Sequence, residues 1–270
     1  MSASVSVIIP FYQSQMVLHL AINGLLRLSV VNELSIEVVF VDDGSTDASY
    51  KIISNKVADL EKKGFSVVVV RQDNKGPAAA RNNGIHNSTG DWISFLDVDD
   101  VWYQNRFEAL MIYFLDPECD LFCHAEKVRD LKSGSVLGTN YYGAHFSVRG
   151  LMIQGNTLSP SSTIVRRSII DKVGGFSERA DFIGVEDYDF WIKLACNNAR
   201  LKICREVLGE YIRHQSSLSF SYRFYERVNS LLRHQMVLYD FTQWELILIH
   251  IQIGLNLVKK MVKRTREILL

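Results

Sequence analysis

Three groups of acids in this chain have the residue types and spacing to do chemistry. Asp97-Val98-Asp99-Asp100 follows directly on the apolar run Ile93-Ser94-Phe95-Leu96. Hard divalent cations take oxygen ligands and keep places for water and substrate phosphates, so this cluster suits Mg²⁺ or Mn²⁺. A solvated acidic turn is the plainer alternative. An EF-hand does not fit, because Trp102 stands where the glycine turn belongs and no glutamate closes the loop. Asp42-Asp43, within Asp42-Asp43-Gly44-Ser45-Thr46-Asp47, places two like charges side by side. Such a pair needs a cation or a hydrogen-bond donor, and a nucleobase N–H or a ribose hydroxyl would serve, unless the turn is merely solvated. Glu186-Asp187 precedes Tyr188-Asp189-Phe190-Trp191 at the start of a predicted helix. An acid there either complements the helix dipole or acts as a general base on an acceptor hydroxyl. His214, in Tyr211-Ile212-Arg213-His214-Gln215-Ser216-Ser217, is either a neutral imidazole ligand or an ordinary polar histidine.

The elements that must position these groups alternate along the first hundred residues. Val5–Pro10, Ile36–Val41, Phe65–Val70 and Trp92–Leu96 are short, apolar and rich in β-branched or aromatic residues, as buried strands are. Between them Met16–Val30, Asp47–Lys63 and Pro77–His86 read as helices, the second capped by Thr46 or Asp47 and the third opening on proline. This alternation implies βαβ units, a mainly parallel sheet and a ligand site beyond the carboxyl ends of the strands. Both aspartate clusters would then meet at one rim. Further on, the pattern predicts a hairpin over Leu121–Val136, a strand over Ser161–Val165 and a short helix over Arg167–Val173 ended by Gly174-Gly175. A helix over Glu186–Asn197 has Trp191 and Leu194 inward, and helical sequence runs beyond Ser221.

Composition removes several function classes. With 30 Lys+Arg against 30 Asp+Glu in 270 residues, the chain has no basic excess for general nucleic-acid binding, and its 47% apolar content suffices for a packed core. Four cysteines without a two-residue gap make neither a zinc knuckle nor a disulfide framework. Met1-Ser2-Ala3-Ser4 carries no basic region followed by an apolar core, which places the expected location in the cytoplasm. Neither a Walker loop nor a G-x-G-x-x-G fingerprint is present, so any bound phosphate must be held by a metal and basic side chains.

Taken together, the segments resemble the family-2 glycosyltransferases of the GT-A fold. The resemblance is carried by Val5–Tyr12, Val41–Asp47, Gly76-Pro77-Ala78-Ala79-Ala80-Arg81-Asn82-Asn83-Gly84, Gly90–Asp100, Gly174-Gly175-Phe176 and Glu186–Trp191, in this order and spacing. It spans roughly residues 5–220. It implies a Rossmann-like, mainly parallel sheet flanked by helices over residues 1–220, with a nucleotide half to about residue 100, an acceptor half to 220 and a helical extension over 221–270. It also implies that Asp42 and Asp43 recognise uridine, Asp43 by preference, with Pro10, Phe11 and Tyr12 lining the pocket and Lys75 and Arg81 facing the nucleotide. Asp97-Val98-Asp99 corresponds to the D-x-D motif, with Asp97 near the ribose and Asp99 on Mn²⁺ or Mg²⁺. Asp100 is the rival first ligand, and His214 reaches the metal or the diphosphate. Asp187 is the expected base and Glu186 its rival. One base and no second nucleophilic carboxylate imply inversion during transfer from a UDP-sugar to a sugar hydroxyl. A nucleotidyltransferase would need a basic, glycine-rich N-terminal loop where Phe11-Tyr12-Gln13-Ser14 is uncharged. A non-catalytic glycan-binding protein would have no use for both acidic sets.

The tail lies outside the resemblance. Leu246–Val258 is apolar but interrupted by His250, Gln252, Gly254 and Asn256, and falls short of the ~20 apolar residues that span a bilayer. Its alternation fits a strand as well as a helix, and its length and flanks favour the helix. Lys259-Lys260-Met261-Val262-Lys263-Arg264-Thr265-Arg266 follows. An apolar helix with such an end packs on the domain, pairs with a second chain, or rests on the inner face of the cytoplasmic membrane. The membrane reading suits a lipid-diphosphate-linked acceptor in O-antigen or capsule synthesis.

Overall fold

The computed structural model describes residues 3–214 and 223–269, with side chains through Lys263 in the last helix. Of the sequence features above, Met1-Ser2, Gln215–Tyr222 and the side chains of Arg264, Thr265 and Arg266 lie outside the described residues. The first hundred residues contain β1 (Ala3–Phe11), α1 (Leu18–Arg27), β2 (Leu34–Asp42), α2 (Ser49–Ser54), α3 (Val57–Lys62), β3 (Ser66–Arg71), α4 (Pro77–His86) and β4 (Trp92–Phe95). Then come β5 (Val101–Trp102), α5 (Arg106–Phe114), β6 (Leu121–Asp130), β7 (Val136–Asn140), α6 (Val148–Gln154), β8 (Thr163–Arg166), α7 (Arg167–Val173), α8 (Glu186–Cys196) and β9 (Leu201–Arg213). The chain ends in α9 (Arg223–Leu238) and α10 (Gln243–Leu269).

The strands form one sheet in the order β3-β2-β1-β4-β8-β6-β9-β5, with β7 paired to β6. β1 to β4 are all parallel, with Phe11 opposite Asp42 and Ile8 opposite Phe95. The strands beyond β4 join in both senses: β8 runs antiparallel to β4 and β6, whereas β9 runs parallel to β6. Both faces of the sheet are covered. Ile8, Val39 and Val41 point into one core with α4, α8 and the C-terminal helices. Val7, Ile9, Val38 and Phe40 point into the other with α1 and α5. Burial on both faces is why these strands read as continuous apolar runs.

Helix α4 lies very close to the sheet. A Cβ added at Gly84 would meet Ile8 Cγ2 at 2.3 Å, and Ala78, Ala79 and Ala80 of the same helix are buried and carry no more than a methyl group. The predicted helix over Asp47–Lys63 is instead two. Ser54 donates its hydroxyl to the Tyr50 carbonyl at 2.9 Å, a back-bond that loosens a helix, and the chain breaks at Asn55-Lys56. Ala48, not Thr46 or Asp47, is the N-cap residue, while Asp47 accepts from the Ser49 amide at 3.0 Å from one position further back. The hairpin is found, with β6 and β7 antiparallel, and the tail is helical. Helices α9 and α10 contribute Leu231, Leu232, Ile249 and Ile253 to the core they share with α4 and α8.

Candidate active site

The parallel register brings the carboxyl ends of β1, β2 and β4 to one edge, and the order of strands reverses about β1 there. Such a switch point opens a crevice in an α/β sheet. A cleft of about 680 Å³ lies at this edge. Pro10, Phe11 and Tyr12 line it from the end of β1, Asp43 from β2, Arg81 from α4, and Asp97, Val98, Asp99 and Asp100 from the end of β4. Glu186 and Asp187 enter from α8, and His214 from the end of β9. Two expected nucleotide contacts are placed otherwise. Asp42 is fully buried and does not line the cleft: its Oδ1 accepts from the Ser45 amide at 2.8 Å and its Oδ2 lies 3.2 Å from Arg71 Nε. Lys75 turns into a separate small depression with Ser177 and Glu178, and only its backbone N–H serves the site, donating to Asp43 at 2.9 Å.

Asp43 is held by the segment that leads into α4. Its Oδ1 accepts from Lys75 N and from Gln72 Nε2 at 2.8 Å, and its Oδ2 from Gly76 N at 2.9 Å. Gly76 has φ +90°, a left-handed conformation that turns its amide onto the carboxylate and sets Pro77 as the first residue of α4. A carboxylate has about four acceptor positions, so Asp43 keeps capacity for one further donor on the cleft side.

Arg81 is the centre of the opposite wall. Only 5% exposed, it donates Nη1 to Glu186 Oε1 at 2.7 Å and Nη2 to Asp97 Oδ1 at 2.8 Å, with its guanidinium 5.5 Å from the Phe176 ring. Burial works against its charge, but the carboxylates of Asp97 and Glu186 raise its pKa above the ordinary value. Arg81 therefore clamps two acidic motifs together, and both of its terminal nitrogens are already engaged where a nucleotide contact was expected. Glu186 is equally committed: its second oxygen accepts from the Gly184 amide.

Asp187, the next residue, is differently placed. Its Oδ2 accepts from Asn156 Nδ2 at 3.0 Å. Burial and the adjacent Glu186 charge push its pKa up to about 7. Asp99 and His214 face each other with Oδ2 and Nε2 2.6 Å apart, and the Asp99 carboxylate raises the imidazole pKa against burial. Asp100 turns back into the protein, 2% exposed, accepting from Ser161 Oγ at 2.6 Å and from the Ile212 amide at 2.9 Å.

Two residues that the sequence reading passed over complete the site. Asn156, just after α6, holds Asp187. Ser161 both donates to Asp100 and accepts from the Asp97 amide at 3.1 Å, pinning the loop after β4 from two sides. Neither belongs to a motif. The only local hint for Ser161 is its place in Ser159-Pro160-Ser161-Ser162, ahead of an apolar run.

Among the described residues, six carboxylates line the cleft against one guanidinium. Such a surface attracts cations and repels a diphosphate, so an anionic ligand enters it only with a counter-charge. Among the described residues no group of three or more His, Cys, Asp or Glu makes a ready cage. The Asp99–His214 pair nevertheless fits a cation that completes its shell with water and ligand phosphates.

The sequence model of glycosyl transferase family 2 matches residues 6–174, more than half of the chain. An uncharacterised glycosyltransferase of Haemophilus influenzae is 31% identical over 189 residues, covering 70% of each chain. Another from Rickettsia felis is 32% identical over 209 residues, and the match covers 75% of this chain but only 32% of that one. The succinoglycan biosynthesis protein ExoU of Rhizobium meliloti is 30% identical over 199 residues, 69% of this chain and 56% of its own. Among solved structures, S. aureus TarS 1–349 in complex with UDP-GlcNAc superposes with a TM-score of 0.66 at 22% identity, over 90% of this chain and 68% of that one. A mannosyltransferase from Pyrobaculum calidifontis in complex with GDP-Man and Mn²⁺ gives 0.67 at 15% identity, over 97% and 74%. The strand order, the acidic cleft at its switch point and these likenesses agree: the chain has the GT-A fold and belongs to glycosyl transferase family 2.

Proposed function

We propose that the protein is an inverting glycosyltransferase that moves a sugar from a UDP-sugar to a sugar hydroxyl. The observation that carries this reading is the unequal use of the acids along one cleft. Asp43 is held by backbone amides with an acceptor position to spare, which suits the N–H edge of a uracil beside Phe11 and Tyr12. Asp97, held by Arg81, faces the ribose side. Asp99 and His214 would hold Mn²⁺ or Mg²⁺, and the commitment of both Asp100 oxygens inside the protein favours Asp99 over Asp100 as the first ligand. Bound there, the ion supplies Lewis-acid stabilisation to the departing diphosphate.

Asp187 is the base in this scheme. It removes the acceptor proton as the hydroxyl attacks the anomeric carbon, which a carboxylate with pKa near the working pH does best. Glu186, with both oxygens engaged by Arg81 and the Gly184 amide, acts instead as a structural anchor for the pair. The arrangement uses one base and no carboxylate nucleophile, so transfer inverts the anomeric centre. The likeness to ExoU and the UDP-GlcNAc complex of TarS support a sugar-nucleotide donor and an acceptor from surface polysaccharide synthesis, which we assign to the lipid-diphosphate-linked class.

Release of UDP from a panel of UDP-sugars, with and without Mn²⁺ and with lipid-diphosphate sugars as acceptors, tests the proposal. Metal-dependent UDP release coupled to a β-linked product from an α-linked donor is the expected result. Pyrophosphate release from a nucleoside triphosphate would instead identify a nucleotidyltransferase. Binding of UDP-sugar without turnover under any of these conditions would make the protein a non-catalytic binder.

A further inference from the structure

Helix α10 has two unlike faces. On one, Ile249, Ile253 and Asn256 are buried, and Asn256 donates to Asn229 Oδ1 of α9 at 3.0 Å. Glu245 lies on the same side, paired with Arg149 of α6. At about 100° per residue the opposite face carries Trp244, Ile247, Ile251, Leu255, Val258 and Val262. Their exposures are 74%, 48%, 53%, 50%, 58% and 52%. A surface helix ordinarily turns its apolar stripe to the core and its polar side outward. Here a second, continuous apolar stripe faces away from the protein. Among the described side chains of α10 the one carboxylate, Glu245, is on the inner side. Lys259 flanks the outer stripe, and Lys260 and Lys263 reach back to Glu226 and Tyr225 of α9.

We propose that this outer face of α10 rests on the surface of an anionic lipid bilayer, with the helix lying in the plane of the headgroups. The charge pattern selects lipid over a second copy of the chain. A helix pair between copies gains from acids flanking the seam, opposite the partner's cations. Parallel pairing would bring Lys259 of the two copies together, and antiparallel pairing would set it against the Gln243 and His250 end, where no acid faces outward. Headgroup phosphates answer the Lys259 cation, and Arg264 and Arg266 extend the basic cluster in sequence. The helix lies on the bilayer rather than crossing it: among the described residues no helix is long and apolar enough to cross a membrane.

The test uses the full chain with no sugar nucleotide present, so its outcome is independent of the transfer reaction. Trp92, Trp102 and Trp191 are buried at 2%, 2% and 0% exposure, which makes Trp244 the side chain whose emission should move to the blue on vesicles. Co-sedimentation and this shift are expected with phosphatidylcholine–phosphatidylglycerol vesicles. The double substitution Ile251→Glu, Val258→Glu, on two exposed side chains, should weaken partitioning about a hundredfold or more. Lys259→Gln should weaken it roughly fivefold on the anionic vesicles and leave partitioning into pure phosphatidylcholine unchanged. Trp244→Phe should still sediment while losing the spectral shift, which keeps the proposal testable even if the double variant fails to fold. A native chain that neither sediments nor shifts would overturn the proposal. So would a lipid-free dimer that the double substitution dissolves in a chain that ignores vesicles.

Discussion

The acids after β2 and the acids after β4 look alike in sequence and are used in opposite ways. At the end of β2, Asp42 is sealed in the protein and Asp43 is wrapped by the Lys75 and Gly76 amides. Across β1, Asp99 meets His214 at the cleft, and Asp187 enters the same space with a raised pKa. The difference lies in who satisfies the oxygens. A carboxylate already supplied with backbone N–H donors is stabilised as an anion and shapes a pocket. One with fewer donors in a partly closed space, as Asp99 has with His214 and Asp187 has with Asn156 and the Tyr188 amide, would keep capacity for a cation or a proton. In the proposed scheme, saturation of the oxygens rather than the presence of an Asp-Asp pair separates scaffold from chemistry, and it assigns Asp100 and Glu186 to the scaffold side.

The sharpest break of this contrast is Asp99→Ala. If Asp99 carries the cation, its loss should lower Mn²⁺-dependent UDP release by about a thousandfold, with the thermal unfolding midpoint unchanged. Activity within a few-fold of native would move Asp99 to the scaffold side. Next comes Asp187→Asn, which keeps the shape and the Asn156 contact but removes the proposed base. Its kcat should fall by roughly 10²–10⁴ with the KM for the UDP-sugar retained. If Asp187 is the base, a pKa of about 7 would leave it protonated and inactive below that pH in the native chain. Thus kcat/KM should rise through about pH 7, and the asparagine variant should lack this limb.

Asp42→Ala probes the other side of the comparison. It removes the acceptor of the Ser45 amide and leaves that buried N–H without a partner. The cost should be about 1–3 kcal/mol in denaturant unfolding, with the contact to the half-exposed Arg71 adding little. Because Asp42 stays out of the cleft, kcat should be close to native once the protein is folded. A large loss of activity in a stable variant would return Asp42 to the nucleotide site.

How much of this was legible depended on whether the cause was local. Strands β1, β2 and β4 announce themselves because most of their residues are buried, which leaves short runs that stay largely apolar despite Ser6, Glu37 and Ser94, and β3 announces itself through four consecutive valines. Helix α4 announces itself through Pro77 and its alanines. β9 was not legible: its thirteen residues, Leu201–Arg213, contain Lys202, Arg205, Glu206, Glu210 and Arg213. Some of these charges are answered only across the fold, Glu210 by Arg129 and Lys202 by Asp116. The break at Asn55-Lys56 coincides with a back-bonded serine that the helical pattern of the seventeen residues 47–63 conceals. In the site, the motif acids were visible, but their partners were not. Arg81 reaches Glu186 across 105 positions and Ser161 reaches Asp100 across 61, and no periodicity carries such a distance. The same limit explains why the sequence left Glu186 and Asp187, or Asp99 and Asp100, as rivals. Most of the hydrogen bonds by which the two members of each pair differ come from distant parts of the chain, Arg81 to Glu186, Asn156 to Asp187, Ser161 to Asp100 and His214 to Asp99.

Asn156 offers the finest division within the chemical side, because it acts on Asp187 without being an acid or a ligand. Its amide donates to Asp187 Oδ2 from the segment after α6, and this bond favours the ionised carboxylate against the burial that opposes it. Removing it by Asn156→Ala should therefore cost about tenfold in kcat while leaving the KM for the UDP-sugar near native. The diagnostic is the pH profile. With the donor gone, burial and the Glu186 charge act unopposed by it, so the activity limb near pH 7 must move to higher pH. A merely structural role would lower activity equally at all pH values and leave the limb in place. Asn156→Asp makes the opposite substitution in charge and sets a second anion beside the base, which raises the pKa of Asp187 further still. The limb should then lie highest in Asn156→Asp, lower in Asn156→Ala and lowest in the native chain. Any other order would mean that Asp187 is positioned by something besides Asn156.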